Sequence, residues 1–431
     1  MKETKFKQTE VGMIPSDWEV KTLGEIGSFS KGSGISRSES NSGNLPAIRY
    51  GEIYTKHNDY IRAFYSHISK DVADKSTRLI QGDVLFSASG ETKEDIGKTV
   101  TFLESTEAYA GGDIIIMSPK SPVNSMFLGY ILNFPTIAKQ KAMKAQGDAV
   151  VHITTDSLRK LQVSIPKTIG EQQRIATALS DVDTLINNLE KIIAKKKNIK
   201  QGAMQQLLTG RKRLPGFAPA KPTYKQTELG KIPTDWEVKN LADLGYFISG
   251  SGFPLKYQGC VDEKYPFYKV SDFSNDGNIF SMIIANNYVS EQTAKKLGCK
   301  IIPKNAILFA KIGAAIMLER KKICTRACCA DNNMMAFTCY DFCDATFMNA
   351  ALTMIKFADY SASSALPSLS SRTLGLILVV IPSSKAEQTA IANVFSDMDT
   401  EIATLETKLA KYRKLKTGMM QQLLTGKIRL V

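Results

Sequence analysis

From Glu171 onward, Ile175, Leu179, Val182, Ile186, Leu189, Ile193, Lys196, Ile199, Ala203 and Leu207 follow one another at steps of three and four. That alternation is the period of a coiled-coil seam rather than a broad globular face, and it predicts one long amphipathic helix. A second stretch, from Glu387, repeats it in Ile391, Phe395, Met398, Ile402, Leu405, Leu409, Tyr412, Met419 and Leu423. The ends match as well. Pro166 and Pro382 stand just before, and Thr168 with Glu171, like Ser384 with Glu387, has the spacing of a capping box. Gly210 and Gly426 fit left-handed C-terminal stops. About 40 helical residues make a rod of roughly 60 Å. One apolar seam cannot bury itself, so the expected partner of each helix is the other copy; two separate helices, each packed on its own globular region, are the alternative.

Ahead of each predicted helix the pattern changes to short apolar runs bounded by Gly, Asn, Asp and Pro, which read as strands. QTEVGMIPSDWEVKTLGEIGSF from Gln8 matches QTELGKIPTDWEVKNLADLGYF from Gln226, so the whole chain is two halves, each a globular region followed by a rod. Between these anchors the halves diverge but keep a common punctuation. LPAIRYGEI from Leu45 answers YPFYKVSDF from Tyr265, and GDVLFSASG from Gly82 answers NAILFAKIG from Asn305. GGDIIIMSP from Gly111 answers DNNMMAFTC from Asp331, and LRKLQVSIP from Leu158 answers LGLILVVIP from Leu374. Short helices are predicted near Ser125 and Ala345. The fold class is therefore α+β: two mainly β domains, at 1–165 and 225–381, separated by long helices at 166–214 and 382–431.

Pro215, Pro219 and Pro222 mark a linker at 215–224. Roughly 14 residues reach at most about 48 Å, too short to lead the chain back along a rod of about 60 Å. An antiparallel coiled coil needs no return, and it predicts an internal pseudo-twofold with the domains at opposite ends. Their separation would approach two turns of B-DNA, at about 34 Å per turn.

Composition adds a partner class. A formal net charge of +14 and a pI near 9.2 point to an extended anion such as nucleic acid. MKETKFKQTE lacks the apolar core of a signal peptide, and the longest apolar run, LGLILVVIP, is about half a membrane span and reads as a buried strand. All seven cysteines lie in the second half. An odd count confined to one half of a repeat argues against a disulfide framework and for a reduced, cytoplasmic protein. Cys324 with Cys328, and Cys339 with Cys343, have loose zinc spacing, but buried free thiols fit better.

Catalytic motifs are weak. FSKGSG from Phe29 and FISGSG from Phe247 open no βαβ series, and GETKEDIGKT from Gly90 has six residues between its glycines where a phosphate loop has four. His57, His67 and His152 form no evident triad or metal set. Basic residues are the better candidates. Lys195, Lys196, Lys197, Lys200, Lys411, Arg413, Lys414 and Lys416 line the far half of each rod, either as a solvated face or against phosphates or an acidic partner. In or beside polar loops lie Ser33, Arg37, Arg49, Tyr50, Lys93, Lys98 and His152 in the first half, and Ser251, Lys256, Tyr257, Lys269, Lys311, Arg320 and Arg372 in the second. Arginine can pair with guanine, lysine can hold phosphate, Ser, Asn and Tyr adjust to other edges, and His152 sits in a polar VHITT segment able to face a ligand, which makes these the candidate DNA-contacting set.

The paired IPxDWEVxxL segments at Ile14 and Ile232, the EQxxIA rod starts at Glu171 and Glu387, and the QQLLTG rod ends at Gln205 and Gln421 resemble the specificity subunits of type I restriction-modification systems. The resemblance covers essentially the whole chain. It implies two target recognition domains, each reading one part of a split, asymmetric duplex DNA site. It also implies that the helices act as spacer and dock two methyltransferase subunits, with nuclease and translocase subunits joining for restriction. S-adenosylmethionine and ATP would then belong to those partners, and this chain would bind no cofactor or metal and catalyse nothing. Two other classes compete: a structural coiled-coil adaptor whose end domains bind proteins, and an enzyme acting on DNA alone. Salt-dependent DNA binding separates the first from the leading reading.

Overall fold

The computed structural model describes residues 5–120, 122–147, 150–362 and 366–430. It divides into two compact units, one made of the residues up to Glu190 with those from Lys408 on, the other of Lys191–Thr407.

In the first unit, after a hairpin of Phe6–Thr9 with Gly12–Pro15, strand Glu19–Thr22 pairs antiparallel with Gln162–Ile165, the last strand before Pro166. Inside lies an antiparallel sheet in the order Thr99–Thr101, Val84–Ser87, Ile114–Pro119, Gly27–Lys31. Its central strands are continuous apolar runs because both faces are covered. Val84, Phe86, Ile115 and Met117 point to a core shared with Trp18 and the helix Ser125–Leu132, whereas Leu85, Ile114 and Ile116 point to a second core with Ile48, Ile53 and Phe102. A second sheet orders Ser66–Ile68, Leu45–Ile48, Tyr109–Ala110 and Thr77–Arg78, with Leu45–Ile48 and Tyr109–Ala110 parallel.

The second unit repeats the plan. Trp236–Asn240 pairs with Leu378–Pro382, and a five-stranded sheet runs Gly245–Ser249, Met334–Cys339, Ile307–Ala310, Lys321–Cys324, Ser281–Met282. Ile307, Phe309, Met335 and Phe337 face the core under Trp236, while Leu308, Met334 and Ala336 face the one around Tyr268. The short helices stand where expected, but of the runs read as strands LPAIRYGEI and YPFYKVSDF are strand only over Leu45–Ile48 and Tyr265–Tyr268 and then turn into the helices Tyr50–Thr55 and Val270–Ser274. All seven cysteines are free, and Cys324, Cys328, Cys329 and Cys343 are buried.

The long helices span Ile169–Leu207 and Lys385–Leu423, 39 residues each. Gly210 and Gly426 both adopt φ +68°, as expected of left-handed stops. Two details of the pattern are corrected. Ile199 does not join the seam but stands 47% exposed; Lys200 and Met204 turn inward instead, Lys200 because Asp399 meets its ammonium at 2.5 Å. The first capping box is only half formed, and at the second the Glu387 N–H donates to the Ser384 carbonyl rather than its hydroxyl. The Glu171 N–H donates to Thr168 Oγ1 at 3.4 Å, but the carboxylates of Glu171 and Glu387 leave the helix start for arginines distant in sequence.

Within each unit, rising numbers on one helix meet falling numbers on the other. Asp183 pairs with Lys416 at 2.8 Å and Glu190 with Arg413 at 2.7 Å in the first unit; Lys196 pairs with Glu401 at 2.7 Å and Lys200 with Asp399 in the second. The segments therefore run antiparallel there. Five of the basic rod residues, Lys196, Lys197, Lys200, Arg413 and Lys416, are taken up by carboxylates of this chain.

Candidate nucleic-acid interface

The repeated sequence motifs meet at one junction per unit. In the first, Arg429 donates through Nε and Nη2 to Glu171 at 2.5 and 2.8 Å and through Nη1 and Nη2 to Asp17 at 2.8 Å, with its guanidinium 5.9 Å from the Trp18 ring. The second repeats it with Arg213, Glu387, Asp235 and Trp236. Hydrogen bonds to Glu171 and then Asp17 raise the Arg429 pKa further, so its charge is permanent. The neighbouring glutamines have their own task. Gln172 accepts from the Asn124 N–H and Gln388 from the Asp344 N–H, both at 2.8 Å, which fixes the residues that cap the helices Ser125–Leu132 and Ala345–Thr353. The sequence pattern assigns Glu171 and Glu387 to local caps and gives Arg429 and Arg213 no contact. The signal for the arginines was an Arg-Leu pair after each QQLLTG.

On the globular regions, the Gly-Ser-Gly turns and the strand ends beside them form a second repeated feature. Gly32 and Gly250 must be glycines, because a Cβ there would lie 2.0 and 1.8 Å from the carbonyl oxygens of Gly111 and Asp331. The next N–H, of Ser33 or Ser251, donates to Ala110 or Ala330. Gly111 N–H in turn donates to Ile48 O, and Asp331 N–H to Tyr268 O, at 2.9 Å. The structure thus gathers Ser33, Arg49 and Tyr50 in one unit and Ser251 and Lys269 in the other. Arg49 and Lys269 occupy matched positions, each donating its backbone N–H to an acid three residues on, Glu52 at 3.2 Å and Asp272 at 2.6 Å.

Other candidates attach to these clusters. Lys98 reaches the Tyr54 carbonyl at 3.0 Å, and burial lowers its pKa. The same tyrosine donates to Ser89 O, and the Ser89 hydroxyl meets Nδ1 of the exposed His152 at 3.0 Å, which orients that ring. Lys93 sits in the exposed stretch 91–95. In the second unit Lys269 Nζ donates to Gln258, Lys256 and Tyr257 share the short helix Leu255–Tyr257, and Arg320 donates to Ser274 at 2.8 Å, at the far end of the turn that Lys269 opens. Lys311 is tied by its backbone N–H to Asn333 O. Arg37 lies exposed in a serine-rich turn, and Arg372 lies exposed on the helix Ser371–Gly375.

A pair of α+β regions, each carrying a polar-lined strand junction and each built onto long helices, defines a duplicated recognition protein. Residues 15–201 and 233–412 both match the type I restriction modification DNA specificity domain, and the chain belongs to that family. It is similar to a putative type I restriction enzyme specificity subunit, MjaX, of Methanocaldococcus jannaschii, with 28% identity covering 99% of this chain and 97% of that one. The MjaVIII specificity subunit of the same organism is 25% identical, again over 99% and 97%. Among solved structures, the S subunit of a type I restriction-modification system from M. genitalium superposes with a TM-score of 0.61 at 15% identity, over 97% of this chain and 98% of that one. A chain from a type I R-M assembly study gives 0.53 at 13% identity, over 96% and 99%. At these identities the superpositions speak for the fold.

Proposed function

We propose that this specificity subunit reads a split, asymmetric duplex site, one half with each globular region, and that it carries no catalytic group of its own. The observation that carries the reading is the junction built twice from the same backbone but different side chains. Arg49, Tyr50 and Gly111 in one unit face Lys269, Val270 and Asp331 at the matched positions of the other. The same scaffold with different hydrogen-bonding groups selects two different half-sites. The fourteen candidate residues are the proposed contact set, with residues 1–165 and 225–381 as the recognition domains.

The two helices would pair as an antiparallel coiled coil, relate the halves by a pseudo-twofold, and set the spacer with a length of about 58 Å for 39 residues each. Partners would be two methyltransferase subunits and the restriction subunits, with S-adenosylmethionine and ATP bound on them, in the cytoplasm.

Exchanging residues 45–151 for those of a relative, in complex with the methyltransferase subunits, is expected to change one half of the methylated sequence and leave the other intact. Methylation sequencing reads the result. An unchanged site would remove the first region from recognition.

A further inference from the structure

The first unit contains a buried ionic cluster that extends an ion pair between the helices to a carboxylate of the globular region. Asp59, in the segment between the helix Tyr50–Thr55 and strand Ser66–Ile68, is 6% exposed and accepts from Lys416 Nζ at 2.7 Å and from Asn133 Nδ2 at 3.2 Å. Lys416, on the second long helix, also meets Asp183 of the first at 2.8 Å. Asp183 is completed by Arg62 at 3.0 Å and by the Tyr130 hydroxyl at 2.7 Å. Two carboxylates and two cations balance, and burial of the Lys416 ammonium is more than offset by Asp59 and Asp183, which keep its pKa above the ordinary lysine value. One globular region and both helices thus share a single ammonium.

Geometry makes this a second attachment point. The Glu171–Arg429 junction holds the region near the start of the first helix, and Asp183 lies twelve residues further along, or about 18 Å. Around that start the region is also held by the Asn124–Gln172 bond and by Ile175, Ala176 and Leu179, which enter its core; the cluster at Asp183 extends the hold beyond Leu179 along the helix. On its other side Asp59 borders an open cleft of about 400 Å³, lined also by Asn58, Glu94, Lys98 and Lys141, while its carbonyl accepts from the Thr101 N–H at 3.2 Å. Close approach is built in, since a Cβ on Gly129 would lie 2.3 Å from the Asp59 carbonyl oxygen. In the second unit the corresponding pair is Lys200 with Asp399 at 2.5 Å, and among the described residues no carboxylate of the second globular region joins it.

We propose that Asp59 is a positioning residue: through Lys416 and Asp183 it fixes the orientation of the first recognition region on the helices, and with it the spacing at which the first half-site is read. This rests on the reading of the chain as the subunit that recognises a split site.

The test uses the full complex with its methyltransferase subunits and methylation sequencing. Asp59→Asn keeps the shape, the Asn133 contact and the Lys416–Asp183 pair. It is expected to leave both half-site sequences unchanged but to raise methylation at sites whose spacer is one base pair longer or shorter by about ten-fold relative to the cognate site, an energy gap of about 1.4 kcal/mol. Asp59→Glu should restore the original spacer preference. Lys416→Gln, which leaves Asp183 with Arg62, should give the same relaxation and covers the case in which Asp59→Asn fails to assemble. A merely structural role would lower total methylation with the spacer preference intact, and that result in both variants overturns the proposal. A wild-type complex that methylates no split site would overturn the function itself, and the inference with it.

Discussion

Replacing Arg429 by Met tests the junction that unites the repeated motifs. Glu171 is 2% exposed, and both its oxygens are held by this one guanidinium, so the substitution leaves a buried carboxylate without a cation. Breaking a buried pair from one side costs about 3–5 kcal/mol. Asp17 adds little, because its side chain is 59% exposed and solvent screens it. For a unit of this size each kcal/mol lowers Tm by about 2–4 °C, so a fall of about 6–20 °C is expected. The chain offers a clean assay: its two tryptophans, Trp18 and Trp236, are both fully buried, one in each unit. In a Trp236→Phe background, fluorescence follows the first unit alone. Arg429→Met should shift that transition, and Arg213→Met should not. Adding Glu171→Leu to Arg429→Met should recover most of the loss, since an apolar pair needs no cation. A shift under about 2 °C, or a double variant costing the sum of the singles, would refute the argument that the carboxylate's burial sets the cost.

The stop of the second helix gives a sharper contrast. Gly426→Ala should destabilise the first unit by about 2 kcal/mol or more, because φ is +68° and the new Cβ would sit 2.3 Å from Pro15 Cγ. Gly418→Ala, inside the helix with open space around it, should stabilise by about 0.5–1 kcal/mol; denaturant midpoints read both. His57 is 4% exposed, and burial first, then the Lys98 charge, lowers its pKa to about 4. The native state therefore binds this proton less readily than the unfolded chain. Its contribution, about 3 kcal/mol, is complete above the unfolded value near 6.5 and is lost as pH falls towards 4. The difference in stability between wild type and His57→Leu should accordingly depend on pH across that window and be flat above it, followed by Trp18 fluorescence.

Much of this protein is legible along the chain because the controlling interactions are short in range. A period of three and four makes a helix wherever it occurs, continuous runs such as Val84–Phe86 and Ile114–Met117 make strands covered on both faces, and Gly210 and Gly426 stop the helices that precede them. Duplication of those patterns reveals two halves, and their motifs identify the family. Other assignments need distance. Glu171 has the spacing of a local cap, yet its carboxylate is won by Arg429, 258 positions away, since a guanidinium supplies charge and two donors where the cap offers one backbone N–H. Ile199 fits the seam by period but yields its place to Lys200, because Asp399 on the facing helix holds that ammonium.

The candidate contacts divide along the same line. Arg49 and Lys269 are matched because each follows a strand whose alignment is visible in sequence, whereas Arg37 and Arg372 share their chemistry but lie on an exposed turn and an exposed helix face. Asp59 carried no signal at all. By itself the sequence determined the elements, the internal repeat and the family, because these follow from spacing within one helix, strand or motif. Only the tertiary structure decided which charges meet across them, because an ion pair depends on where two side chains arrive in space.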